Sequence, residues 1–471
     1  MANFKGVIST IITKKFNTRL SNSISSLTRN FSNSSILKSQ EYYLARSPKG
    51  ANYRLHLAKS RHLVGIRTTR GTREYNEDRY QAMVLELSDN KTKRDDVIVN
   101  QPILDDKNIE NEELEGKFGQ ICYFALFDGH GGAQCADHLT ANLHKQIESV
   151  EASDADGIVT EFRNIGGYFR RFKPPVLETL LSPEVADITP KKRPNNQKSG
   201  RESLRKFSSS TPSPTMLTQT LPLQTAPTVT TQSLSSHSNL STKPLTLEQR
   251  LTLAYLKIDI ELMSVVEYNS IGSTASAALI KSLDKRPFWT SNDIEITIAH
   301  VGDTRILLCD AENGNSIQLT FDHHPGSISE VERLSKSGGF IITDSFGAEM
   351  YLGSLANTRS LGDARMKRFG ISAEPEISIH HMVGKKFAFM VLVSDGITSV
   401  LSNQEIVDYL KDCDNPTIGA SKLVDLADEL GSNDNMTAMV IRLPGWGTSM
   451  PDHTKELRKY RLDQNFTSRR R

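Results

Sequence analysis

Five segments of this chain of 471 residues bring an acid to the end of an apolar run. In "YFALFDGHGG" a strand-like run stops at Asp128 and passes into three glycines around His130. In "FAFMVLVSDG" the run stops at Asp395, and in "EITIAHVGDTRILLC" two runs meet about a turn that holds Asp303. "REYNEDRYQAMVLEL" places Glu77 and Asp78 just before a run, and "GSNDNMTAMVIRL" does the same with Asp434. A single Asp-Gly is an ordinary turn. Acids at five strand termini ask for a fold in which rigid sheets aim them at a common place.

Carboxylates brought together repel, and some take up protons unless cations neutralise them. Oxygen donors with few histidines suit Mg²⁺ or Mn²⁺ better than zinc. Gly129, with no side chain, lets a backbone carbonyl approach a metal as well. Two such ions, about 3.5–4 Å apart, bridge and ionise a water and hold the oxygens of an in-line displacement at phosphorus. Phosphate-ester hydrolysis needs that help, being among the slowest uncatalysed reactions. Arg73, five positions before Asp78, supplies a guanidinium that forks onto phosphate oxygens. His130 is placed to protonate a leaving alkoxide, although a lone histidine is more often a structural residue.

Composition excludes several classes. Hydrophobic residues make up 37% and charged residues 24%, at a net charge of +2, which describes a globular core diluted by polar segments. No basic patch tracks through the core, so a metal nuclease and a nucleic-acid partner are disfavoured. The apolar run Phe387–Val393 is far short of the roughly 20 residues of a spanning helix, and a soluble protein without a membrane span is expected. Cys122, Cys135, Cys309 and Cys413 show no close pairing. They read as buried thiols, not as a disulfide frame or a zinc site.

The first 40 residues hold no Asp or Glu, but do hold Lys5, Lys14, Lys15, Arg19, Arg29 and Lys38 among many serines. That is the composition of a mitochondrial transit peptide. "RNFS" places Arg29 three residues before a cut after Phe31, so residues 1–31 are expected to be removed, and no second apolar sorting segment follows. The matrix is the expected compartment. Residues 182–244 are rich in Ser, Thr and Pro with almost no aromatics and are expected as a disordered insert, since they cannot bury enough apolar area to offset chain entropy. Residues 447–471, ending in three arginines, read as a solvated basic tail. The folded domain is expected over 60–446. Capping boxes at Thr246/Gln249 and Ser402/Glu405, and a short helix at "SEVERLSKSGG", alternate with hairpin signals. Helices separate from antiparallel hairpins imply an α+β fold.

The order of motifs resembles the metal-dependent type 2C (PPM-type) serine/threonine protein phosphatases, and among them mitochondrial fungal members. The pieces are "GTREYNED", "FDGHGG", "GSTA", "AHVGDTR", "LTFDHHP", "LANTRSLGD", "EPEI", "VSDGITSVLSNQE" and "SNDNMT", spanning about 67 to 443 apart from the insert. The resemblance implies an αββα sandwich of two antiparallel sheets flanked by helices. It implies one metal on Asp128, Asp395 and Asp434 and a second on Glu77, Asp128 and the Gly129 carbonyl, with Asp78 supporting the metal waters. It makes Arg73 the phosphate-binding residue and His130 the general acid, and gives Asp303, with Asp395, a part in a weaker third metal site. Where the family often has Trp-Asp after "SDG", this chain has Thr398 and Ser399, a departure in the third-metal region. The implied activity is hydrolysis of phosphoserine and phosphothreonine on mitochondrial phosphoproteins by a metal-bridged hydroxide, with Mn²⁺ or Mg²⁺, in a monomer. By analogy the substrates include the pyruvate dehydrogenase complex or proteins of mitochondrial turnover. The alternative is a catalytically weak, phosphatase-like docking protein, which normally loses some of these acids.

Residues 1–40 fused to a fluorescent protein are expected to carry it into mitochondria. A cytosolic fusion in live-cell imaging overturns the leader reading.

Overall fold

The computed structural model describes residues 41–47, 49–87, 115–116, 119–188, 244–265, 269–335, 341–343, 349–353 and 355–468. The leader expected over 1–31 lies outside these residues, as does nearly all of the insert expected over 182–244. Cα proximity groups residues 1–186 with 244–471 as one unit and residues 187–243 as another.

Twelve strands carry the architecture of the first unit: β1 Tyr42–Arg46, β2 Asn52–His56, β3 Val64–Thr69, β4 Arg79–Leu85, β5 Ile121–Phe127, β6 Ala275–Ser282, β7 Asp293–Val301, β8 Arg305–Asp310, β9 Ser316–Gln318, β10 Glu376–Val383, β11 Phe387–Val393 and β12 Met436–Arg442. They form two five-stranded antiparallel sheets, ordered β10-β7-β6-β5-β4 and β9-β8-β11-β12-β3, with β1 and β2 paired in a separate ribbon to which the two-residue strand Glu115–Gly116 adds along β1. The helices are α1 Gln134–Ser149, α2 Asp154–Ile165, α3 Leu247–Ser264, α4 Ile328–Ser335, α5 Asn403–Lys411, α6 Pro416–Glu429 and α7 Lys455–Ser468.

Strand β5 shows why the layers stack. All seven of its residues are buried. Side chains alternate across a strand, so Cys122, Phe124 and Leu126 enter a core shared with Ile306, Leu308, Met390, Leu392, Met439 and Ile441 of the other sheet. Tyr123, Ala125 and Phe127 enter a second core with Leu139 and Leu143 of α1, Phe162 of α2 and Tyr255 of α3. On the far side, Val391, Val393, Ala438 and Val440 pack against Ile406 and Leu410 of α5 and Leu423 and Ala427 of α6. Three apolar layers between four layers of secondary structure make an αββα sandwich, the expected fold class. All four cysteines are free and buried, and among the described residues no helix is long and apolar enough to cross a membrane.

Both expected capping boxes form. Gln249 N donates to Thr246 Oγ1 at 3.2 Å and Thr246 N to Gln249 Oε1 at 3.1 Å; Glu405 N and Ser402 N repeat the exchange at 3.3 and 2.9 Å.

The folded region is longer at both ends than the 60–446 expected. Tyr43, Ala45, Leu55 and Leu57 of the N-terminal ribbon and its exit are buried in the inter-sheet core, where Tyr43 meets the Trp289 ring edge-on at 5.1 Å. The expected solvated tail contains α7. Its Arg461 pairs with Glu405 Oε1 at 2.6 Å and donates to Val400 O at 2.5 Å, and Leu462 packs on the α5/α6 core. Basic composition concealed this, because two of the tail's cations, Arg458 and Arg461, face acids of the domain instead of water.

Helix α4 and residues 355–376 are held together by a buried ion triad. Glu330 of α4 is fully buried and takes forked bonds from Arg333 (3.0 and 2.6 Å) and Arg359 (3.0 and 2.7 Å), plus one from Thr358 Oγ1 at 2.6 Å. Burial pushes its carboxyl up, but the two guanidiniums overcome it and hold the carboxyl far below the usual glutamate range. Removing one member of such a group strands the other charges in low dielectric. Glu330→Gln is expected to lower unfolding free energy by about 3 kcal/mol at neutral pH. A depressed carboxyl stabilises above its unfolded value, 4.5, and loses that contribution as pH falls through its folded value. The gap between the two proteins in urea titrations is therefore expected to shrink on acidification; a gap independent of pH contradicts the triad.

Candidate active site

The loop from β3 to β4 is clamped by one side chain. Asn435 Nδ2 donates to Arg70 O at 3.0 Å and Tyr75 O at 2.9 Å, and its Oδ1 accepts from Glu77 N at 2.7 Å. Asn435 immediately precedes β12, so the clamp joins the loop bearing Arg73, Glu77 and Asp78 to the segment bearing Asp434. Arg73 Nη2 lies 2.6 Å from Asp434 Oδ2, and its side chain is 57% exposed.

Asp78 is 2% exposed. Ser394 Oγ at 2.9 Å and Thr437 Oγ1 at 2.7 Å both donate to its Oδ2. Those hydroxyls belong to the ends of β11 and β12, so the edge of the second sheet aims this carboxylate. Its Oδ1 is buried without a hydrogen-bond partner among the described residues, and so is Asp128 Oδ2. Asp128 follows β5, its carbonyl accepting from Thr274 N at 2.8 Å and Ser273 Oγ at 3.1 Å. Asp395 follows β11 and opens a single helical turn, Asp395–Thr398.

These acids feel one another. Burial pushes the Asp128 carboxyl well above its ordinary value, and the charges of Asp78, Asp395 and Asp303 push it further. Burial, then Asp303 and Asp434, raises Asp395 to about 7. Burial raises Asp78 to about 6, against the two hydroxyls that favour its charged form. Asp128 and Asp395 lie close enough to share a proton. Asp303 runs the other way: burial raises it, but the His324 hydrogen bond at 3.3 Å and charge pull it below the ordinary value. Glu77 reaches the same place through Gly129, where a Cβ would stand 2.8 Å from Glu77 O and 3.3 Å from Glu77 Cβ. All the predicted acids, from five segments, therefore meet at one end of the sandwich.

Among the described residues no three of these side chains already stand as a metal-ligand set. They are engaged with one another and with Arg73 and His324. The donor set nevertheless fits hard divalent cations. Two buried carboxylate oxygens lack partners among the described residues, three carboxyls are pushed up by burial and then by one another's charge, and Gly129 brings its backbone against Glu77 where a side chain would not fit. Cations would relieve the first two conditions.

His130 is positioned by Asp363, the last residue of "LANTRSLGD", to which sequence reasoning gave no role. Two-residue strands Gly129–His130, Gly272–Ser273 and Leu361–Gly362 form a small sheet at the mouth of the site. They set His130 Nε2 2.9 Å from Asp363 Oδ2. Asp363 is a buried, left-handed residue (φ 47°) that also accepts from Ser360 Oγ at 2.5 Å. Burial disfavours the imidazolium, yet Asp363 carries the His130 value upward. Beneath, fully buried Lys367 pairs with Asp259 at 2.8 Å and donates to Ser360 O at 2.7 Å. The motif itself was the only signal for Asp363, and a separation of 233 residues from His130 hides the pairing. Thr398 and Ser399, the departing pair, bond back to Asp395 O at 3.4 Å and Gly396 O at 3.1 Å.

Residues 221–436 match the family model described as Protein phosphatase 2C. The chain is 29% identical over 427 residues to protein phosphatase 2C homolog 4 of Schizosaccharomyces pombe, covering 89% of each chain. It is 37% identical over 194 residues to mitochondrial protein phosphatase 1K of Xenopus laevis, a match that covers 41% of this chain and 47% of that protein. The matched region therefore spans most of the length of the first relative and about half that of the second. A solved serine-threonine phosphatase 2C from Toxoplasma gondii matches at 19% identity and TM-score 0.47, over 82% of this chain and 96% of that one.

Gly272 tests the mouth of the site. A Cβ there would stand 2.2 Å from Asp363 Oδ2 and 2.5 Å from His130 Nε2. Gly272→Ala is expected to separate the pair and to cost about 1–3 kcal/mol of stability, as overpacking does. A thermal unfolding curve that superposes on that of the unaltered protein contradicts this geometry.

Proposed function

We infer that this chain is a serine/threonine protein phosphatase of the protein phosphatase 2C family and that it hydrolyses phosphoserine and phosphothreonine on mitochondrial proteins with the help of two Mn²⁺ or Mg²⁺ ions. The observation that carries the reading is the convergence of Glu77, Asp78, Asp128, Asp395 and Asp434 from separate strand ends, with unpartnered oxygens on Asp78 and Asp128 among the described residues.

Asp128, Asp395 and Asp434 would hold one ion, and Glu77, Asp128 and the Gly129 carbonyl the other. Such ions, when bound, neutralise the carboxylates and acidify a water molecule. Asp78, fixed by Ser394 and Thr437, stands behind them as an oriented acceptor for water. The Arg73 guanidinium, exposed at the rim, forks onto phosphate oxygens and stabilises the charge that develops on them. With Nε2 of His130 on Asp363, Nδ1 is the ring nitrogen left to hand a proton to the departing alkoxide. Asp363 holds the ring in place and favours its protonated form. The third position would have Asp303 already paired with His324 and only hydroxyls at Thr398 and Ser399, which supports a two-ion reading. The basic, acid-free N-terminus and the mitochondrial relative support the matrix as the compartment.

The test follows phosphate release from a phosphothreonine peptide with Mn²⁺, with Mg²⁺ and with a chelator. Metal-dependent turnover is expected. Asp395→Asn is expected to lower it by at least about a hundredfold, since even the outer partners of metal ligands are worth up to that much. A folded protein inactive with either metal overturns the catalytic reading in favour of a docking protein.

A further inference from the structure

Two short turns bring four arginines to one surface beside the site. The 3₁₀ turn Gly167–Arg171 carries Arg170 and Arg171. The turn Ala364–Lys367 and the residue after it carry Arg365 and Arg368. All four are exposed. The turns are joined through the backbone: Tyr168 N donates to Arg368 O at 3.0 Å, and a Cβ on Gly167 would stand 2.1 Å from that same carbonyl. The second turn is joined to the site. Arg365 N donates to Asn269 O at 3.3 Å, and the adjacent Ser270 O would lie 2.7 Å from a Cβ on Gly131. Asp363, two residues before Arg365, holds His130.

Neither "GYFRRF" nor "ARMKRFG" contains an acid. Among the described residues none of the four guanidiniums has an ion-pair partner. Several other arginines of this protein are ion-paired: Arg305 with Asp322, Arg333 and Arg359 with Glu330, Arg458 with Asp452, Arg461 with Glu405. Lys367, the other cation of these turns, is taken inward by Asp259. Like charges left uncompensated on one surface raise the local potential and attract the opposite sign.

We propose that this arginine surface docks an acidic stretch of the phosphoprotein substrate, so that favoured sites carry Asp, Glu or a further phosphate near the phosphoserine or phosphothreonine. The proposal rests on the phosphatase reading. Arginine, more than lysine, matches carboxylate and phosphate with a planar fork. Position beside the mouth of the site favours a substrate segment over an anionic membrane.

The experiment compares the full chain with a variant carrying Arg170→Glu, Arg171→Glu, Arg365→Glu and Arg368→Glu, in Mn²⁺. The substrates are p-nitrophenyl phosphate and two phosphothreonine peptides, one flanked by acids and one by lysines. The unaltered protein is expected to favour the acidic peptide by about tenfold in kcat/KM, through KM and with a steep salt dependence, as exposed interface charges act. The variant is expected to lose that preference, to gain on the lysine-flanked peptide, and to keep its rate on p-nitrophenyl phosphate. Equal kcat/KM for both peptides in the unaltered protein overturns the proposal. So does a variant that keeps its peptide preference but no longer sediments with cardiolipin-containing vesicles, which makes the surface a membrane contact. If neither protein turns over any substrate, the phosphatase reading has failed. Fluorescence anisotropy of the labelled acidic peptide then decides the docking separately, about tenfold weaker binding by the variant supporting it and equal binding refuting it.

Discussion

Burial of Asp78, Asp128 and Asp395 beside one another, with the mutual repulsion that it brings, is the constraint around which the molecule is arranged. Each buried negative charge raises the cost of the next, so the cluster persists only where the scaffold leaves it no way to relax. Two antiparallel sheets packed face to face supply that rigidity. Their ladders fix where β5 and β11 end and where β12 begins, and the acids sit at those termini. Asn435, Ser394 and Thr437 then pin the remaining loop to the sheet edge. The raised carboxyls are therefore a property of the fold's stiffness as much as of the residues themselves.

A second layer of order surrounds the cluster. Helix α4 and residues 355–376 are anchored by the Glu330 triad at one point and by the buried Lys367–Asp259 pair at another. Between them lies Asp363, in a left-handed conformation that only a constrained environment maintains. Gly272 gives the space in which Asp363 and His130 meet. Burying ions to hold a loop is a poor way to gain stability but an effective way to define one arrangement. Here that arrangement orients an imidazole.

The two ends of the domain follow a simpler logic. The N-terminal ribbon contributes Tyr43 and Leu55 to the inter-sheet core, and α7 covers the outer helices through Leu462 and Arg461. Both were hidden in sequence for the same reason. Short or strongly charged segments carry little periodicity of their own, and their burial is decided by surfaces far away in the chain.

Much of the site was legible in the residues alone. Asp128, Asp395, Asp303, Asp434, Glu77 and Asp78 stand out because an apolar run that meets an acid is a local pattern, and so are the capping boxes at Thr246 and Ser402. The unbroken apolar run "ICYFALF" determined that a strand would have two apolar faces, and hence that layers must cover both. What only the tertiary structure decided is which groups face each other: Asp363 with His130, Glu330 with Arg359, Asp78 with Ser394 and Thr437, Arg461 with Glu405. These pairs are 233, 29, 316, 359 and 56 residues apart. Hydrogen bonds and ion pairs act over a few ångströms and leave no period in the chain, so nothing local marks a partner until the sheets have brought it near.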